Sequence, residues 1–201
     1  MRVYLESTGC RLNQSEIETL GRQFERAGYQ VVASPEAAEV CVVNTCAVTQ
    51  EATRTSRMIL RRLNRANPDA QLVATGCYAH LSPEQVGALP GVTQVIDNLH
   101  KEQLVPLIAG TAGPIDPFDR EPLEREFRPG VLGRTRAFVK VQDGCNNRCT
   151  FCITTIARGP GRSRTIDEVV AEVNYLVAAG YQEAVLTGVH LGSYGHDRVE
   201  R

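Results

Sequence analysis

With 201 residues, 42% apolar and 22% charged, the chain suits one or two globular domains with a real core. A net charge of −1 excludes a global field toward nucleic acid or membrane, so any such contact must rest on a local patch. No apolar run approaches the ~18 residues of a membrane span and no export signal opens the chain, so a cytoplasmic location with no membrane partner is expected.

The elements alternate at short intervals. "RVYLEST" reads as a strand, and residues 13–28 as a helix opened by Asn13 with Glu16 three places on, an Asn version of the capping box. "YQVVA" is a short strand. "EVCVVNT" (39–45) is a near-continuous apolar run, the signature of a strand buried on both faces of a parallel sheet. A helix follows over about 50–66 and stops before Asn67-Pro68. Then come the strand "AQLVATG", the short helix "SPEQVGAL", the strand "VTQVIDN" and a last helix over 101–109 ended by Gly110. Five strands alternating with helices predict an open, doubly wound α/β domain over residues 1–110.

Residues 111–134 read as a linker of mixed charge, with proline and glycine scattered through it. A second domain is expected over 135–201. "TRAFVKVQDG" is a strand, Thr165 to Glu168 a capping box opening a helix to about 179, and "EAVLTGVHLGSYG" a strand with its following loop. Together they make one βαβ unit.

Seven cysteines in a reducing compartment call for metal, catalysis or packing rather than disulfides, and the odd count agrees. Cys145, Cys149 and Cys152, spaced C-x3-C-x2-C, sit on a loop at a strand's C-terminal end, where α/β folds place chemistry. Three thiolates there can hold three irons of a cubane cluster and leave the fourth open to a ligand, whereas an electron carrier needs four. A structural zinc site calls for C-x2-C pairs or a histidine at matching spacing, and the nearest histidines are His100 and His190. Cys10, Cys46 and Cys77 end the first, third and fourth strands. Strands of a parallel sheet all end on one edge, so these three form a second three-ligand site. The alternative, that lone cysteines are buried small hydrophobes, suits Cys41 inside the apolar strand.

The loop "CNNRCTFC" resembles that of the radical S-adenosylmethionine enzymes. The set "GCRLNQSE", "VVNTCAVT", "GCYA", "VQDGCNNRCTFC" and "LTGVHLGSYG" resembles the methylthiotransferases among them, nearest to the branch acting on threonylcarbamoyladenosine in transfer RNA. The fold implied is a methylthiotransferase α/β domain followed by the start of a radical β/α barrel of partial TIM type. Residues Cys145, Cys149 and Cys152 would then bind the radical [4Fe-4S] cluster. On its open iron S-adenosylmethionine is cleaved to a 5′-deoxyadenosyl radical, which takes a hydrogen from C2 of the modified adenosine at position 37. Cys10, Cys46 and Cys77 would hold an auxiliary [4Fe-4S] cluster that delivers sulfur, and a second S-adenosylmethionine supplies the methyl. The resemblance implies two partners, a tRNA substrate and an electron donor of the flavodoxin or ferredoxin type. Isopentenyladenosine tRNA and ribosomal protein S12 are the alternative substrates, and a non-catalytic iron–sulfur module is the alternative class.

Secondary candidates surround these sites. Gly188 and Gly192 lie where this superfamily contacts the cofactor's methionine part, and glycine there allows close backbone approach. Arg158, Arg162 and Arg164 follow the cysteine loop and suit the cofactor's carboxylate, RNA phosphate or plain solvent. Arg54, Arg57, Arg61 and Arg65 fall on one helix face, a solvated face or an RNA-facing stripe. Where the family often has Ile-Pro-aromatic after the third cysteine, this chain has Ile153-Thr154-Thr155-Ile156. The barrel needs about six βα units and the sequence covers only the first two strands, so the chain reads as a fragment or a truncated product.

Overall fold

A computed structural model describes residues 1–110 and 136–198. The chain separates into two compact units, Met1–Pro117 and Phe118–Arg201. The expected linker over 111–134 lies outside the described residues.

The first unit is one parallel five-stranded sheet in the order β2-β1-β3-β4-β5. Its strands are β1 (Arg2–Ser7), β2 (Gln30–Val32), β3 (Val40–Thr45), β4 (Gln71–Gly76) and β5 (Val92–Val95). All six residues of β3 are buried, as its unbroken apolar run requires of the central strand. Helices α1 (Arg11–Arg26) and α5 (Leu104–Ala109) cover one face, where Val3, Val40, Val42 and Val73 meet Leu20, Phe24 and Leu104. On the other face α2 (Gln50–Ala66) and the short α3 (Cys77–Leu81) and α4 (Pro83–Gly87) pack on Cys41, Val43, Leu72 and Ala74. Thr49 caps α2 by accepting from the Ala52 amide at 3.0 Å. The helix then buries Ser56, Ile59, Leu60 and Leu63, the two leucines contributing roughly 1.5–3 kcal/mol each. Arg54, Arg61 and Arg65 are exposed on the opposite side and Arg57 is half-buried, an arginine-bearing polar face.

One boundary differs from expectation for an instructive reason. Helix α1 begins at Arg11, with Cys10 as its extended N-cap, so Asn13 and Glu16 are interior residues rather than a capping box. Both are buried, at 0% and 2% exposure. Their side chains bond to residues distant in sequence, and satisfying those buried groups outweighs the local capping pattern. Helix α3, which follows β4 without a break, was not expected either.

In the second unit β6 (Arg136–Lys140) pairs in parallel with β9 (Glu183–Thr187), and α7 (Ile166–Ala178) makes the crossover. The Thr165–Glu168 capping box is present on both sides. Val139, Val141 and Leu176 form the core between strand and helix. The strand expected through Asp143 breaks at Val141. Its amide still donates to Thr187 O at 2.9 Å, but its carbonyl turns to accept from the Arg164 amide at 3.0 Å. The short β7 (Gln142–Asp143) therefore pairs antiparallel with β8 (Arg162–Ser163), which closes a bracket around the cysteine loop. No helix among the described residues is long and apolar enough to cross a membrane.

Candidate metal centres

Strand register gathers the distant cysteines. Ser7 of β1 pairs with Asn44 of β3, and Thr45 of β3 pairs with Gly76 of β4. Cys46 and Cys77 each come one residue after a member of that last pair, and Cys10 three residues after Ser7. All three therefore stand at one edge of the sheet. Strands β1 and β3 are the neighbours between which the strand order reverses, the switch point where open α/β sheets leave a crevice for ligands.

Glycine makes the close approach possible. Gly9 has φ +94°, and a Cβ on it would lie 2.5 Å from Cys46 Sγ. Gly76 has φ +96°, and its Cβ would lie 2.3 Å from Thr45 O. Each "GC" pair thus leaves its strand through a conformation and a gap that only glycine fits. Cys46 and Cys77 are buried, while Cys10 is exposed, so the set opens to solvent on one side. Asn98, past the end of β5, donates Nδ2 to Cys77 Sγ at 3.6 Å. Cys41 differs in kind: it is 1% exposed in β3, and burial, aided by Glu36 and Glu6, pushes its thiol up to about 11. That is an inert core thiol.

The second set is carried on one loop. Gly144, at φ +65°, would place a Cβ 1.9 Å from Pro160 O, so a third "GC" pair depends on glycine. The Cys145 amide donates to Gly159 O at 3.1 Å and the Cys152 amide to Cys149 O at 3.1 Å. Cys145 is buried, and Cys149 and Cys152 are exposed beside the 91%-exposed Phe151. Bonds from the Thr154 side chain and backbone hold the Cys152 thiol below its ordinary value. Ile153 is the N-cap position of α6 (Thr154–Arg158), so the stretch that departs from the family pattern is a short helix here.

All seven cysteines are free thiols. Among the described residues, no three His, Cys, Asp or Glu side chains close around one point as ligands of a single ion would. A polynuclear cluster asks for something else, because each thiolate binds a different iron and the sulfurs stay apart. In donor type, and in sharing one sheet edge or one loop, each set suits such a cluster.

Two family models match separate stretches of the chain. Residues 2–97 match the profile described as Uncharacterized protein family UPF0004, and residues 139–197 match the Radical SAM superfamily. Threonylcarbamoyladenosine tRNA methylthiotransferase MtaB of Bacillus subtilis is 40% identical over 97% of this chain and 45% of its own length. The tRNA-2-methylthio-N(6)-dimethylallyladenosine synthase of Dehalococcoides mccartyi is 35% identical over 98% of this chain and 44% of its own. The chain joins a UPF0004 domain to a Radical SAM domain and is similar to radical S-adenosylmethionine methylthiotransferases. It corresponds to the N-terminal half of these relatives. The solved structure of the radical S-adenosylmethionine methyltransferase TsrM from Kitasatospora setae, with cobalamin and a [4Fe-4S] cluster bound, shares the fold at TM-score 0.64. Its identity is 16%, over 95% of this chain and 49% of that one.

Around the cysteine loop, the secondary candidates divide. Arg158 is 4% exposed, and its Nη1 donates to Asp143 Oδ1 at 3.0 Å, so it braces the loop from inside. Arg164 is likewise buried against Glu172 and donates to Lys140 O at 3.2 Å. Arg162 is more open and lies 3.8 Å from Asp143. Gly188 is half-buried at the end of β9, where a Cβ would meet Leu191 at 2.8 Å and Gln142 Oε1 at 3.0 Å. Gly192 is exposed on the loop beyond.

Gln142 is the residue that sequence reasoning missed. It is 1% exposed, donates to the carbonyls of Asp143 at 2.9 Å and Gly144 at 2.6 Å, and accepts from the His190 amide at 2.9 Å. One amide thus couples the cysteine loop to the Gly188–His190 turn. The available signal was an amide side chain in "VQDGC", directly before the cysteine turn.

Proposed function

We propose that the chain is the N-terminal part of a tRNA methylthiotransferase that acts on N6-threonylcarbamoyladenosine at position 37. The observation that carries this reading is the pairing of two three-thiol sets in one chain, with a positive-φ glycine directly before Cys10, Cys77 and Cys145. One such set suits a radical enzyme in general, while a second supplies sulfur chemistry that a simple methyl transfer does not need. Cys145, Cys149 and Cys152 hold the radical [4Fe-4S] cluster, and Cys10, Cys46 and Cys77 hold the auxiliary one. When bound, these clusters and S-adenosylmethionine supply hydrogen abstraction at C2 and the methylthio group.

The chain's own residues bind, orient and shield. Asp143 and Arg158 brace the radical loop, and Gln142 ties it to the Gly188–His190 turn through the His190 amide. Together they keep a cofactor that reaches Gly188 in line with the loop. Gly192 and Arg162 are further candidates for contact with that cofactor. The partners are tRNA and an electron donor of the flavodoxin or ferredoxin type, and the cytoplasm is the compartment where they meet. Relatives named for threonylcarbamoyladenosine reach 40% identity and those named for dimethylallyladenosine 35%, which favours the first substrate.

Anaerobic reconstitution and iron analysis test the cluster reading. About eight irons per chain are expected, and Cys145→Ala or Cys10→Ala should each remove about half. Zinc in place of iron, or loss of both sites from either change, overturns it. Mass spectrometry of tRNA from cells lacking the gene tests the substrate: the methylthio group must vanish from threonylcarbamoyladenosine and persist on isopentenyladenosine.

A further inference from the structure

The N-terminal set stands on a buried polar network with no part in the function derived so far. Asn13 is wholly buried. Its Nδ2 donates to Thr8 O at 2.9 Å and Thr45 O at 3.1 Å. Thr8 lies two residues before Cys10 and Thr45 one before Cys46, so a single amide joins the two cysteine-bearing turns. Behind it, Asn44 Nδ2 donates to Asn13 O at 3.1 Å and Glu16 Oε2 at 3.0 Å. Lys101 Nζ then donates to Glu16 Oε2 at 2.7 Å and Asn44 Oδ1 at 3.3 Å. Helix α1, strand β3 and the segment before α5 are thereby locked together directly under the strand ends.

Buried polar groups are costly unless bonded, and a network bonded this fully is rigid. Ligands of metal centres depend on such a supporting layer for their orientation, and hydrogen bonds to the sulfurs set cluster potentials. The two asparagines nearest the thiols act differently. Asn13 works through backbone carbonyls, and the Cys10 thiol's own bond to Asn13 Oδ1, at 3.7 Å, is lost once that thiol ionises. Asn98 donates its N–H directly to Cys77 Sγ, a bond that strengthens when the sulfur becomes a thiolate.

We propose that Asn13 and Asn98 are positioning residues of the N-terminal cluster. Asn13 sets the separation of the Cys10 and Cys46 turns before any iron binds. Asn98 donates to the Cys77 thiolate and raises the reduction potential of the cluster held there. This rests on the assignment of Cys10, Cys46 and Cys77 as cluster ligands.

Two measurements on the 201-residue chain test it. With Cys145→Ala removing the other cluster, Asn98→Ala is expected to keep its iron. Its reduction equilibrium should shift about tenfold toward the oxidised form, about 59 mV for a one-electron couple. An unchanged midpoint overturns the role of Asn98. In the iron-free chain, Asn13→Ala is expected to speed amide exchange about tenfold at Thr8 and Cys46. Those amides are held natively by Asn44 O at 3.0 Å and Ser56 Oγ at 3.1 Å. The same variant should retain less than half the iron of its parent at this site. Unchanged exchange with full iron overturns the clamp. If the parent takes up no iron, the ligand assignment fails instead, and exchange in the iron-free chain still decides the clamp.

Discussion

Lys101→Met is the sharpest test of how the first unit is held together. The Lys101 ammonium lies 2.7 Å from Glu16 Oε2, with the two side chains 6% and 2% exposed. An exposed pair of this kind is worth about 0–1 kcal/mol, but removing one partner of a buried pair costs about 3–5 kcal/mol, because the other charge stays behind in a poor solvent. Asn44 Oδ1 loses a donor in the same step. With a urea m-value near 2 kcal/mol/M, the midpoint should fall by about 1.5–2.5 M. The assay is urea unfolding of the reduced, iron-free chain followed by far-UV circular dichroism. Glu16→Gln added to Lys101→Met removes the stranded charge and keeps an oxygen for Asn44 Nδ2, so it should recover much of the loss. A single-variant loss under about 1 kcal/mol, the range of an exposed pair, refutes the reasoning. So does a double variant no more stable than the single.

Three further outcomes follow from local geometry. Gly76→Ala should destabilise by about 3 kcal/mol or more, because left-handed strain adds to a clash with Thr45 O, whereas Gly28→Ala, at φ +84° with open space around it, should cost only about 1–2 kcal/mol; chemical denaturation of both variants checks the contrast. Iodoacetamide at about pH 8 should label the exposed Cys10, Cys149 and Cys152 and spare Cys41, whose thiol is buried and pushed up to about 11, as peptide mass spectrometry can read. For Asp197, burial alone would raise the carboxyl, but bonds from Ser163 Oγ at 2.5 Å and Ser163 N at 2.7 Å hold it below its ordinary 3.8. A depressed carboxyl contributes stability that is present above its unfolded value and lost as pH falls through the folded one. Asp197→Asn should therefore lower stability at neutral pH and flatten the acid limb below about pH 4, measured by thermal melts across pH.

Sequence by itself determined the five strands of the first unit, the major helices and the position of every thiol along them. Apolar runs such as "EVCVVNT" must be buried wherever they land, and the Thr165–Glu168 box is satisfied within four residues, so both are legible locally. The "GC" pairs were legible as strand ends for the same reason. What needed the tertiary structure was the partner of each polar side chain. Asn13 and Glu16 carry the spacing of a helix cap, yet they are spent on Thr8, Thr45, Asn44 and Lys101. Lys101 is 85 residues from Glu16, and no local pattern records that separation. Arg158 gave the same lesson: no local pattern in the sequence records the ion pair that its guanidinium makes with Asp143 in the fold. A side chain's type is written in the sequence, but the competition among its partners is decided only once burial removes water as the default one.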